Sequence, residues 1–184
     1  MSNAKNPNIE SYQGIAPDIP EGVFIHHSAT VIGDVSLGED VSIWPGTIVR
    51  GDVNRIQIGR GSNVQDLSML HVSHKSSWAP DGSPLMIGQN VTIGHRVILH
   101  GCTIEDECLI GMGSIVMDNV LVQKHVLVGA GSLVPEGKVL ESGYLYLGSP
   151  AKKVRALTDA EIAHFIYSAN HYMRLKNQYL LQAT

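Results

Sequence analysis

His71, His95 and His100 lie in a stretch of the chain that also carries Arg50, Asp52, Asn63, Gln65 and Asp66. Three imidazoles leave a tetrahedral divalent ion one open position, and water there loses a proton near neutral pH. That is the chemistry of a hydrating or hydrolytic enzyme. Gln65 is suited to orient the nucleophile, and Asp66 to receive the second imidazole N–H of a ligand. Arg50 and Asp52 are suited to a charge-assisted pair, within or between subunits. The chain has nine histidines, and one taken alone is more often an ordinary surface or core residue than a ligand. The elements that carry them must decide.

A six-residue period organises those elements. Aliphatic residues recur at Ile25, Val31, Leu37, Ile43 and Val49, then at Ile58, Val64 and Leu70, then at Ile87, Ile93 and Leu99. A last run goes from Ile104 through Ile110, Val116, Val122, Val128 and Val134 to Leu140. A three-residue insertion separates the first two runs, a loop over 73–86 the next two, and Ile104 follows Leu99 by only five. The fourth position after the aliphatic residue is small or β-branched, as at Ala29, Thr47, Val53, Ser62, Ser68, Val97, Thr103 and Ser114. A period of six fits neither a helix nor a long alternating strand. It fits a short strand plus a turn, three of which close a triangular coil of about 18 residues.

The expected fold is an all-β solenoid, a left-handed parallel β-helix of hexapeptide repeats, with about six coils over residues 21–150. Beyond Pro150 the pattern changes. Thr158-Asp159-Ala160-Glu161 reads as a capping box, and Ile162, Phe165, Ile166, Ala169 and Met173 follow at helical spacing. Residues 151–184 are therefore assigned to a C-terminal α-helix packed on the flank of the prism. Residues 1–20 are an N-terminal segment in which Met1–Ala4 reads as an expression-vector remnant.

The register sorts the histidines. Arg50, His71 and His100 each follow the aliphatic residue of one face, so they stack in a single column, with neighbouring coils about 4.8 Å apart. His71 and His100 can thus share an ion. His95 stands two residues after Ile93, on the preceding face, where it stacks over Asp66. A prism edge separates the two faces, so a second subunit is needed to supply the third imidazole. A threefold axis would bring the faces of neighbouring prisms together and give three equivalent sites in a homotrimer.

Bulk composition narrows the partners. A net charge of −4 offers no broad basic field for nucleic acid or an anionic bilayer. No apolar run approaches the roughly 20 residues that span a membrane, and the expected location is cytoplasmic. The two cysteines, Cys102 and Cys108, make no disulfide scaffold and no C-x-x-C pair, and both read as reduced. Cys108 falls at the small inward position of its hexad and reads as core.

Arg50-Gly51-Asp52, the Asn63-x-Gln65-Asp66 segment, His71 and His95-x4-His100, followed by hexads and a terminal helix, resemble the γ-class carbonic anhydrases and their bacterial relatives over nearly the whole chain. The resemblance implies zinc, with iron as the alternative, bound by His71 and His100 of one chain and His95 of another. It implies attack of a metal-activated water on carbon dioxide to give bicarbonate, with Gln65 orienting the nucleophile and Asn63 near the substrate. It also implies an aromatic hydroxyl from the terminal helix near the site, for which Tyr167 is the candidate and Tyr172 the alternate. The best-characterised active members of that family carry a glutamate just after the R-x-D segment and another in an acidic loop just beyond the first histidine, the latter as proton shuttle. Here Val53 and His74 stand in those positions. His74 is read as a loop residue beside Lys75, Ser76, Ser77 and Trp78, with proton relay as the other option.

The leading expectation is a metal-dependent lyase acting on a small molecule, carbon dioxide. Its competitors are a metal-dependent thioesterase, a hexapeptide acyltransferase with one histidine as base, and a metal-binding trimer that catalyses little.

Overall fold

A computed structural model describes residues 8–182, so the reading of Met1–Ala4 lies outside the described residues. Short parallel strands wind into a triangular left-handed β-helix. The first face stacks Phe24–Ile25, Ser42–Ile43, Asn63–Val64, Thr92–Ile93, Leu109–Ile110, Leu127–Val128 and Tyr144–Gly148. The second runs through Val31, Val49, Leu70, Leu99, Val116 and Val134. The third runs through Leu37, Ile58, Ile87, Ile104, Val122 and Leu140. Six coils are complete, and partial turns extend both ends. Ile9–Glu10 pairs below Thr30–Leu37, and Ala151–Ala156 folds back antiparallel on Tyr144–Gly148.

The aliphatic residue of each hexad fills the axis: Ile43, Val49, Val64, Leu70, Ile93 and Leu99 are all fully buried. The small position turns inward too, and its hydroxyls are satisfied. Thr47, Ser62, Ser68 and Ser114 donate to main-chain carbonyls of the next coil at 2.8–3.1 Å, so no buried oxygen is stranded. Two members of the pattern differ from expectation. Val53 is 43% exposed, because Ile48–Ile58 is one strand of 11 residues that rounds a prism edge and restarts the count at the buried Ile56. At the five-residue step, Cys102 rather than Thr103 occupies the interior.

The helix runs over Asp159–Gln182 and begins with the expected reciprocal cap. Glu161 N–H donates to Thr158 Oγ1 at 3.3 Å, and Thr158 N–H donates to Glu161 Oε2 at 2.9 Å. Arg155 grips the same carboxylate with two bonds, which holds Glu161 down at a pKa of about 2. The buried stripe is Phe165, Ser168, Ala169 and Lys176, laid over the outward side chains of the first face. Ile166 turns outward, 37% exposed. Lys176 Nζ is anchored by Asp40 Oδ1 at 2.9 Å and Gly22 O at 2.8 Å, so the buried cation is paired. Trp44 packs against Tyr172 and Tyr179 beside it. No helix among the described residues is long and apolar enough to cross a membrane.

Candidate metal centre

The second face builds one half of the site. Val49, Leu70 and Leu99 point into the core, so the next residue of each strand, Arg50, His71 and His100, points out. His71 and His100 are direct ladder partners, and His71 Nδ1 lies 3.1 Å from His100 Nε2. The far nitrogen of each ring meets a carboxylate: His71 Nε2 reaches Asp52 Oδ1 at 3.0 Å and His100 Nδ1 reaches Asp118 Oδ1 at 2.7 Å. Arg50 Nη1 donates to Asp52 Oδ2 at 2.5 Å. Gly51 permits this corner, since a Cβ there would stand 2.5 Å from Asp34 O.

The charges settle accordingly. Burial alone would raise the Asp52 carboxyl, but the hydrogen bonds from Arg50 and His71 and the guanidinium charge hold it below the ordinary carboxylate range. Burial is the largest influence on His71 and, with the Arg50 and His100 charges, outweighs the hydrogen bond and charge of Asp52, so its pKa is lowered and the neutral ring is favoured. Neutral imidazole is the form that ligates.

The first face builds the other half. His95 Nδ1 meets Asp66 Oδ2 at 2.8 Å, one coil apart in the same column. Gln65 and Asn63, buried beneath the helix, are joined by a bond of 3.2 Å from Gln65 Nε2 to Asn63 Oδ1. Across the prism edge, His95 does not join the other two: among the described residues, no three His, Cys, Asp or Glu side chains of the chain converge as a metal-holding group.

Residues 17–51 match the family model of the bacterial transferase hexapeptide (six repeats), and residues 84–117 that of the hexapeptide repeat of succinyl-transferase. The chain is 56% identical to protein YrdA of Escherichia coli (strain K12), over 99% of this chain and 97% of that one. It is 48% identical to γ carbonic anhydrase 1, mitochondrial, of Arabidopsis thaliana, over 87% of this chain and 58% of that protein. With the carbonic anhydrase of Geobacillus kaustophilus it shares 43% identity, over 93% of this chain and 90% of the other. The chain belongs to the γ-carbonic-anhydrase-like family of hexapeptide-repeat proteins.

The family implies a metal, and the donor set of this γ-carbonic-anhydrase-like chain fits one. In the tautomers that donate from His71 Nε2 to Asp52 and from His100 Nδ1 to Asp118, His71 Nδ1 and His100 Nε2 would each offer a lone pair to a shared cation. Ligands of a tetrahedral zinc stand about 3.4 Å apart, so the observed 3.1 Å is close to the spacing a shared cation needs. His95, fixed by Asp66, keeps Nε2 for the same use.

Asp118 was not anticipated from the sequence. It stands two residues after Val116, one coil beyond His100, and extending the register by that coil would have found it. It also accepts a bond of 2.9 Å from Ser73 Oγ at the neck of the long loop, which a Ser73–Ser83 bridge closes. Trp78, at 96% exposed, and His74 are both exposed on that loop. Tyr167 is 60% exposed against His164, whereas Tyr172 is half-buried and lines a cavity with Gln65, His95 and Ser168.

Gly101 gives a direct handle on the centre. It has φ +51°, and a Cβ there would collide with Asp118 Oδ1 and crowd Ser83. Gly101→Ala is expected to displace the Asp118 carboxylate from His100 and weaken metal binding about 10- to 100-fold, the usual cost of losing such a partner. Competition with a chromophoric chelator measures it, with Asp118→Ala as the reference for the same loss.

Proposed function

We propose that the protein is a metal-dependent carbonic anhydrase, hydrating carbon dioxide reversibly to bicarbonate, in a homotrimer with three sites between subunits. Each site takes His71 and His100 from one chain and His95 from its neighbour, around zinc or iron. One observation carries the reading: three imidazoles, each oriented by its own carboxylate, are divided between two faces that a single chain keeps apart.

The surface between those faces supports assembly. Ile48, Met69, Ile98, Ile115 and Leu133 form one outward ladder column beside the histidines. Ile98 and Ile115 are 40% and 37% exposed, with Met112 and Met117 nearby at 58% and 41%. A continuous apolar stripe of this kind marks a contact surface, and a threefold axis would cover it with a second copy.

When bound, the ion supplies a Lewis acid that makes a coordinated water a nucleophile near pH 7. The chain's residues supply the rest. The Asp52, Asp118 and Asp66 carboxylates fix ring orientation and raise ligand basicity. Gln65 spends its amide N–H on Asn63, so its Oε1 stays an acceptor for the proton of the attacking oxygen. Asn63 in turn keeps that amide from rotating. Arg50 neutralises Asp52 and holds it against His71. Neither Val53 nor the exposed His74 supplies a carboxylate for proton export, so turnover slower than that of relatives with both glutamates is expected.

A second reading, thioester hydrolysis, is favoured by one feature. The cavity lined by His95, Gln65, Leu109, Leu127, Met112 and Tyr172 holds about 430 Å³, more than carbon dioxide needs and enough for a short acyl group. Protein purified without chelator, assayed for metal content, carbon dioxide hydration and short-chain thioester hydrolysis, separates the two. Near-stoichiometric metal with hydration is the expected result. Metal-free protein would overturn the reading, and metal with thioester cleavage alone would replace carbon dioxide as substrate.

A further inference from the structure

The helix stripe holds one residue that packing does not require. Ser168 lies between Phe165 and Ala169 against the first face and is 9% exposed. An alanine would fill that place without a hydroxyl to satisfy, and a buried hydroxyl without a partner costs about 1–3 kcal/mol. Ser168 Oγ has a partner: it lies 2.9 Å from Thr92 Oγ1. Thr92 is the ladder partner of Asn63, and Asn63 Nδ2 donates to Thr92 Oγ1 at 3.1 Å. Asn63 Oδ1 then accepts from Gln65 Nε2 at 3.2 Å. Four buried polar groups thus run in one line from the helix to the residue that faces the reacting oxygen.

The line has a direction. Thr92 Oγ1 accepts from Asn63, so its own proton is free for Ser168. With that proton placed, Asn63 must keep its amide N–H toward Thr92 and its oxygen toward Gln65. Gln65 is then left with its oxygen toward the site. Reversed, the same line would leave Gln65 presenting an N–H, which cannot accept the proton of the attacking oxygen. Amides can occupy either orientation with little change of shape, so something must choose. In the orientation observed, Asn63 N–H donates to Thr92 and Ser168 Oγ is the acceptor that takes the Thr92 proton.

We propose that Ser168 is a positioning residue for Gln65, acting through Thr92 and Asn63, so that the C-terminal helix contributes to the reaction by fixing the orientation of an amide. This rests on the reading of Gln65 as the group that orients the nucleophile. Ser168→Ala and Thr92→Val are each expected to lower kcat for carbon dioxide hydration roughly three- to tenfold, the worth of one hydrogen bond. KM and metal content are expected to stay as in the wild type, and Ser168→Thr, which restores the hydroxyl, to recover most of the rate.

The readout independent of turnover is the side-chain amide ¹⁵N–¹H pair of Gln65, assigned by its loss in Gln65→Glu. In the metal-free and metal-loaded wild type it should be a single, slowly exchanging pair. Ser168→Ala and Thr92→Val should shift it and speed its solvent exchange at least several-fold. An unchanged Gln65 amide in both variants would overturn the proposal, as would an equal rate loss in Ser168→Thr. A wild type without hydration activity would overturn the reading of the reaction instead, and the amide signals would still decide whether Ser168 orders Gln65.

Discussion

His95→Ala is expected to abolish metal retention and carbon dioxide hydration together, while leaving the β-helix intact. The side chain is 45% exposed and its one hydrogen bond goes to Asp66 Oδ2, so removing it costs the fold little, within about 0.5 kcal/mol. His71 and His100 remain paired on the other face, held by Asp52 and Asp118. Two imidazoles without the third cannot complete a tetrahedral centre, and metal should fall from near one ion per chain to near none. Plasma emission analysis with circular dichroism checks this. Full occupancy in the variant would mean that a single chain holds the metal.

Ile98→Asp combined with Ile115→Asp is expected to give a folded monomer that has lost its metal, although no histidine is touched. Both side chains are outward members of the apolar ladder column that flanks His71 and His100. Their inward neighbours, Leu99 and Val116, are unchanged and fully buried, so each coil keeps its core. A threefold contact over the stripe would have to bury six new carboxylates per trimer, and unpaired buried charges are costly enough to prevent association. Light scattering reports the state of assembly and emission analysis the metal. A monomer that keeps its metal would separate assembly from the site.

Much of this was legible from the hexads because the solenoid converts sequence spacing into position with few exceptions. Once Val49, Leu70 and Leu99 are placed inward, Arg50, His71 and His100 must stack, and His95 must stand over Asp66. The contacts found at His71–His100 and His95–Asp66 are the ones that register requires. Less was legible where the count is broken or where distant elements meet. Val53 left the interior because the insertion carries the chain around an edge, and Cys102 replaced Thr103 because a five-residue step moves the corner. Ala151–Ala156 has no hexad, since it caps the open end of the solenoid as an antiparallel strand. Asp118 and Ser168 escaped for another reason. Each acts across a distance the local period does not encode, one from the next coil and one from a helix whose rotation about its axis is set by packing.

The central claim is that each site is shared between chains, and co-expression of two inactive variants tests it most directly. His95→Ala chains keep His71 and His100, while His100→Ala chains keep His95. In trimers assembled at random from equal amounts, about a quarter of the interfaces would pair an intact His71–His100 face with an intact His95. Shared sites predict that these mixed trimers recover about a quarter of the wild-type metal and hydration activity, when each variant alone has neither. Mixed trimers as empty and inactive as their parents would contradict it.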